Sequence, residues 1–458
     1  MRNHKKVVLS LLLTVLGVSS AWSEGTPSWP LVSREAKAGT RWWWMGSAVD
    51  ESNLSWNLSE FAKVGMGTVE IAPIYGVQGN SGNALKFLDT PWMNALQTTQ
   101  RLAESHEMDV DMTLGTGWPF GGPSVTIDQA AGKLGYVQQN VVGDGNTEQT
   151  ISISYDVPFA QLNKVMAYPV DGNGGSVTEI TSLVSGKNVK WIAPEGKWLI
   201  LAIYNDHTLQ TVKRAAPGGE GYVLDHFDAD AVKAYLQRFE DAFNASGVPY
   251  PHCFFNDSYE VYNADWTPRM FEEFEKYRGY KLEEHMHQLL GLATDENGQV
   301  LADYRATIND MLINNFTKQW TEWAHRHGTL TRNQAHGSPA NLIDVYATVD
   351  IPEIEGFGLS EFGIKGLRTD KGFTRSNYSD DATLKYASSA AHITGKKLIS
   401  SETFTWLTEH FRTSLSQMKP DLDLMFLSGV NHVLFHGSTY SPKDAMWPGW
   451  KFYAAVDM

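Results

Sequence analysis

Short apolar runs bounded by polar, Gly or Pro punctuation recur along the chain, separated by stretches with the spacing of an amphipathic helix. The first run covers residues 41–45, followed by a helical stretch through 59–64; the second covers 68–73, followed by a helix over 92–106; the third covers 110–114. The pattern then changes to period-two runs at 151–155, 164–168 and 198–204, with a Gly/Asn/Asp turn at 171–175. Such runs between turn signals predict a small antiparallel β domain. Helical periodicity resumes over 228–245, with Asp228 as its N-cap. A fourth run (253–256) precedes helical stretches through 271–274 and 303–327, and the fifth run covers 329–332. The sixth (349–354) contains Pro352, the seventh (397–400) follows a helix over 381–394, and the eighth (432–435) follows a helix over 415–427.

Eight strand-like runs in βα order predict an α/β fold, a (β/α)8 TIM-type barrel with the antiparallel β domain inserted between strands 3 and 4. An open doubly wound sheet would carry a Gly-rich phosphate turn after its first strand, and the run Trp44 to Ala48 is not one. The expected divisions are a leader (1–23), a first barrel segment (24–123), the insert (124–214) and the rest of the barrel (215–458). The leader has a basic start (Arg2, Lys5, Lys6), an apolar run over 7–18 and the small-residue exit Ala21-Trp22-Ser23. That is the grammar of a cleaved signal peptide, and the run is too short to span a bilayer. It predicts an exported protein with no membrane span after cleavage. The last residues lie inside what reads as the helix after strand eight, so the expectation is the N-terminal part of a longer polypeptide.

A formal net charge of -15 argues against nucleic acid as a partner, and removing the leader deletes three basic residues and no acidic one. The one cysteine, Cys253, excludes an internal disulfide and a cysteine-rich zinc site, and its place in a predicted strand suits a buried thiol. His285/His287 and His325/His327 are two apart and point to different helix faces, which is not metalloprotease spacing. Sixteen tryptophans is high for this length; flat rings with an N–H suit sugar faces, although packing accounts for most tryptophans.

In a barrel of this order the polar residues after each strand meet at one mouth. They are Trp44 and Ser47 from strand one, Tyr75 from two, Trp118 from three, Asn256, Asp257 and Glu260 from four, and Asn333 and His336 from five. Strand six adds Glu353 and Glu355, strand seven Glu402 and Trp406, and strand eight His436. Asp225 and His226 precede the helix after the insert and are either substrate contacts or an ordinary turn. Nothing in the set is a Ser/His/Asp elbow or a phosphate loop. Glycosidic cleavage needs one protonated and one ionised carboxyl, and Glu260 and Glu402, on strands across the barrel from each other, form the candidate pair. Sequence spacing does not decide retention from inversion. Glu353 and Glu355 share one side of an extended segment, where they would hold a hard cation such as Ca²⁺ together with water or sugar hydroxyls, or else bond sugar hydroxyls or Arg.

Several separated motifs, in one order, carry a family resemblance: Arg41 to Gly46, Thr116 to Gly122, Gly221 to Phe227, Asn256 to Glu260, Ser400 to Thr403 and His436 to Pro442. Together they resemble the α-L-rhamnosidases of glycoside hydrolase family 106, from about Thr40 to the end of the chain. The resemblance implies an exported bacterial enzyme that removes terminal α-L-rhamnose from plant polysaccharides or glycosides by an inverting, calcium-assisted mechanism. It implies Glu260 as general acid and Glu402 as general base, with Glu355 first among metal ligands. The family's chains are about twice this length, with β-sandwich domains after the barrel. The alternatives are a retaining, β-galactosidase-like barrel glycosidase of other specificity and a non-catalytic sugar-binding module.

Overall fold

Gly39–Met45 (β1), Thr68–Ile74 (β2), Asp109–Thr113 (β3), Cys253–Asn256 (β4), Leu330–Gln334 (β5), Ile351–Glu355 (β6), Ser400–Thr403 (β7) and His432–Thr439 (β8) are hydrogen-bonded in parallel into a closed ring. They are seen in a computed structural model that describes residues 29–170, 175–293, 298–356, 358–376, 380–405, 407–408, 410–454 and 456. The leader reading and Trp406 lie outside the described residues. The chain divides into two units at Ser33, and the unit Arg34–Met458 carries the barrel. Each strand pairs with its sequence neighbours, and β8 closes on β1 through Gly39↔Leu434, with a register shift between Thr40 and Trp42.

Alternation along these strands divides their side chains between two environments. Trp42, Trp44, Val69, Ile71, Met112, Phe254 and Ile354 point outward and join the helices in the main apolar core. The opposite parity brings charge into the barrel. Arg332, with 0% side-chain exposure, contacts Glu70, Asp111 (2.6 Å) and Glu353 (2.9 Å). Arg41 contacts Glu70 (2.7 Å), and Phe255 lies beneath both guanidinium groups, at 4.5 Å from Arg41 and 5.0 Å from Arg332. Removing one member of such a buried network leaves the others uncompensated, at a cost of about 3–5 kcal/mol.

The insert falls between β3 and β4 and forms two antiparallel sheets. One has the order Gly132–Gly143, Gly196–His207, Gln161–Val170, Thr178–Glu179; the other has Glu148–Ser152, Asn188–Ile192, Val184–Ser185. Both lie inside the expected span 124–214. Along Gly196–His207 the residues Leu199, Leu201 and Ile203 join the main core, while Trp198, Ile200 and Ala202 join a second core within the insert. The helix that follows starts at Ala229, and Asp228 caps it by accepting from the amides of Asp230 (2.8 Å) and Ala231 (3.2 Å).

Two strands sit later than the hydrophobic pattern predicts. β7 begins at Ser400, not at 397, because the ladder with β6 pairs Glu353 with Ser400 and Glu355 with Glu402. Leu398 and Ile399 are half-buried linkers, and the strand itself is polar because it faces a polar barrel interior. β6 likewise runs to Glu355, with Asp350 spent on the Thr331 amide (2.8 Å).

Candidate active site

The C-terminal ends of the strands surround a cavity of about 370 Å³ whose lining includes Asp257, Glu260, Glu355 and Glu402. Glu402 is the third residue of β7 and faces the barrel axis. Its Oε2 meets Arg41 (3.0 Å) and accepts from Gln334 (2.6 Å); its Oε1 accepts from Thr405 (2.8 Å) and lies 3.3 Å from His436 Nε2. Burial alone would raise its carboxyl, but the Arg41 charge, with His436 and the two hydrogen bonds, outweighs burial and holds it at about 2. Glu402 is a fixed anion.

Glu260 lies four residues beyond the end of β4, on the loop after it. With a side chain 29% exposed, it ion-pairs with Lys213 and accepts from Tyr262 Oη (2.8 Å) at Oε2, while Ser258 Oγ lies 3.3 Å from Oε1. The two glutamates thus share one cavity in opposite settings. Between them, Asp257 meets Arg41 at 3.1 Å, yet burial and the charges of Glu402 and Glu355 push its carboxyl well up. Burial and Glu402 also raise Glu355, against the hydrogen bond from His336 (2.7 Å). Burial opposes the charged form of His336, but Glu355 raises it above its ordinary value.

Of the other expected site residues, Trp118, His336 and His436 line this cavity. The Trp118 loop reaches it because Gly117 has φ +53 and a Cβ there would sit 1.8 Å from the Lys213 carbonyl oxygen. Trp44 does not line it: the side chain is fully buried on the outer face of β1, edge-on to Trp42 and near Trp92, and its inward neighbour Trp43 packs instead against Trp118, His436 and Phe452. Asn256 and Asn333 share the outward parity and bond each other (2.6 Å), so they brace adjacent strands. Asp225 is buried and accepts from the Phe227 amide (2.9 Å), with burial pushing its carboxyl up to about 7. His226 packs against Tyr259 and Phe316, bonds Leu224 O (2.8 Å), and is pushed down to about 4 by burial. Both are turn and core residues.

Glu353 shares Glu355's parity but sits deeper. Its oxygens are held by Arg332, by Ser400 (2.6 Å) and by Gln334 (3.0 Å), which leaves it no free edge for a metal. Among the described residues no three His, Cys, Asp or Glu side chains are grouped so as to hold a metal ion. Sequence reasoning also missed Arg41, Gln334 and Lys213. The first two were visible as polar residues at inward parity in buried strands; Lys213 reaches Glu260 from the far end of the insert and carries no local signal.

A closed βα barrel with separated, differently tuned carboxylates at its C-terminal mouth defines the class of the barrel glycoside hydrolases. The profile of glycoside hydrolase family 106, described as alpha-L-rhamnosidase, matches residues 160–456, and the chain belongs to that family. A curated protein of Formosa agariphila named "Putative beta-glucuronidase" is 24% identical over 467 aligned positions, covering 90% of this chain and 37% of that protein. The solved rhamnosidase from Novosphingobium sp. PP1Y has the same fold, with a TM-score of 0.71 at 16% identity, covering 92% of this chain and 57% of that one. This chain spans well under two thirds of either relative. Among the described residues no helix is long and apolar enough to cross a membrane.

Proposed function

We propose that the chain carries the catalytic barrel of an exported α-L-rhamnosidase that hydrolyses terminal rhamnosides of plant polysaccharides or glycosides with inversion of configuration. The observation that carries this reading is the sharing of one cavity by Glu402, locked as an anion, and Glu260, solvent-reached and bonded by three donors. Glu402 faces the positive charge that develops at the anomeric carbon and takes the proton of the attacking water late, once C–O cleavage has made that water acidic. On Glu260 the donors Lys213 and Tyr262 occupy Oε2, and Oε1, which accepts from Ser258 Oγ at 3.3 Å, is the oxygen from which a proton would pass to the leaving oxygen. Asp257 is the second candidate for the acid, because its surroundings favour the protonated carboxyl.

Hydrolysis of an aryl α-L-rhamnoside followed by NMR tests the proposal: the first product is the inverted anomer, and the retained anomer would mean direct attack by Glu402. Glu402→Gln lowers kcat by about 10²–10⁴-fold on every substrate with the fold intact. Glu260→Gln keeps its rate on a dinitrophenyl glycoside, whose leaving group needs no proton, and loses it on an alkyl one; the same pattern in Asp257→Asn would move the acid there. A wild type that binds rhamnosides without turnover would make this a sugar-binding module.

A bound Ca²⁺ would be held by Glu355 and would supply positive charge to orient sugar hydroxyls. Glu355 presents a cavity-lining carboxylate whose His336 contact engages Oε2. Chelation is expected to abolish activity and added Ca²⁺ to restore it; full activity in excess chelator removes the metal.

A further inference from the structure

We propose that Phe411 and Trp447 form a second carbohydrate-binding surface, outside the cavity, that stacks on pyranose rings of a glycan chain and holds the polymer while its terminal sugar is cleaved. The two rings lie 5.3 Å apart at 29°. Most of the described tryptophans are buried, whereas Trp447 is 82% and Phe411 42% exposed, and neither lines the cavity that holds Glu402 and Glu260. This rests on the reading of the chain as a glycosidase.

Two loops at the barrel mouth present the pair. The loop after β7 places Thr405 in the cavity and then carries Phe411; the loop after β8 carries Trp447 and then places Phe452 and Ala454 in the cavity. The surface is thus continuous along the chain with the site. Phe411 is held in the left-handed region at φ +59, which a bulky side chain disfavours, so the backbone bears a cost to turn that ring outward. Side chains fix the conformation: Thr413 Oγ1 accepts from the Thr408 amide (3.1 Å), and the Arg412 carbonyl accepts from Arg368 (3.1 Å). On the other loop the Lys443 amide donates to Asn53 (2.9 Å), Asn57 donates to the Ser441 carbonyl (3.0 Å) and the Trp450 amide donates to Ser441 Oγ (3.1 Å), which ties both ends of the turn that carries Trp447. Rings held this way lose little freedom on binding, and their apolar faces suit the C–H face of a sugar. Lys451, 5.0 Å over the Phe411 ring, sets ammonium donors beside it for hydroxyls. Arg412, Lys443 and Asp444 flank the rings with exposed charge, as at a sugar subsite and unlike the apolar centre of a protein interface.

The test is affinity electrophoresis of the Glu402→Gln protein in gels cast with gum arabic, a soluble polysaccharide whose branches end in rhamnose, which reads binding without turnover. Trp447→Ala added to that background is expected to weaken the apparent affinity about tenfold. In the otherwise wild-type protein, Trp447→Ala and Phe411→Gly should lower kcat/KM on gum arabic about tenfold and leave that on an aryl α-L-rhamnoside within about twofold. Glycine accepts the left-handed conformation without strain, so Phe411→Gly should keep the urea midpoint while losing the polymer, a split that a packing role would not give. No retardation by the polymer, an affinity unchanged by Trp447→Ala, or equal loss on the polymer and the aryl glycoside would overturn the proposal. Failure of the wild type to hydrolyse the aryl rhamnoside would instead overturn the hydrolase reading, and the gel still reads the stacking surface by itself.

Discussion

Arg41 is the residue on which the site turns. Its side chain, 4% exposed, joins Glu70 in the barrel to Asp257 and Glu402 at the mouth, so one guanidinium sets both the packing of the interior and the charge of the proposed base. Arg41→Met would take one partner each from Glu70, Asp257 and Glu402 and is expected to cost about 3–5 kcal/mol by urea unfolding. The same change should raise the Glu402 carboxyl from about 2, so that the acid limb of kcat/KM moves up into the measurable range. An acid limb that stays put would mean that Arg41 does not tune Glu402. The local grammar of strand followed by glutamate made Glu402 and Glu260 legible in the sequence. What it could not convey was their different chemistry, which comes from Arg41, Gln334 and Lys213 arriving from distant parts of the chain.

At the scale of the element, parity within a strand decides function. The run Arg41-Trp42-Trp43-Trp44 offers three identical rings, and choosing which one faces the mouth requires knowing that Arg41 points inward among carboxylates. Trp43 then shares its side and donates to His436 O (3.0 Å), while Trp44 is left to the helices. Trp44→Ala should cost about 3–5 kcal/mol with KM unchanged. Trp43→Ala should disturb the packing of Trp118 and His436 and raise KM. A KM effect confined to Trp44→Ala would reverse this assignment. The same parity argument removes Asn256 and Asn333 from the mouth, and the polar face of β7 explains why a hydrophobic pattern places that strand three residues early.

The whole molecule carries a pH signature of its own. Asp225 and Glu353, each pushed up to about 7 mainly by burial, bind protons in the folded state that the unfolded chain has released. Stability therefore falls as pH rises from about 4 to about 7. His252, raised to about 9 because its contact with Asp111 (2.9 Å) outweighs burial, contributes stability that is present below its unfolded value and lost as pH rises through 9. Urea midpoints should thus decline from mildly acid to alkaline solution. Asp225→Asn should flatten the first part of the decline and be more stable than wild type at about pH 8, with activity retained because the residue lies outside the cavity. A midpoint that rises over this range would sink the account.

The barrel, the place of the insert and the helix cap at Asp228 were determined by sequence alone, because each rests on local periodicity or on a side chain bonding a backbone a few residues away. The family was legible for a related reason, since several short motifs in fixed order survive without any knowledge of contacts. Which tryptophan meets the cavity, which acidic residues are spent on arginines inside the ring, and which cations stand beside Glu260 were decided only by tertiary structure. Those facts depend on the register of eight strands and on an insert that returns Lys213 and Arg214 to the mouth, and charges separated by tens or hundreds of residues have no energy of interaction until the fold brings them within a few ångströms.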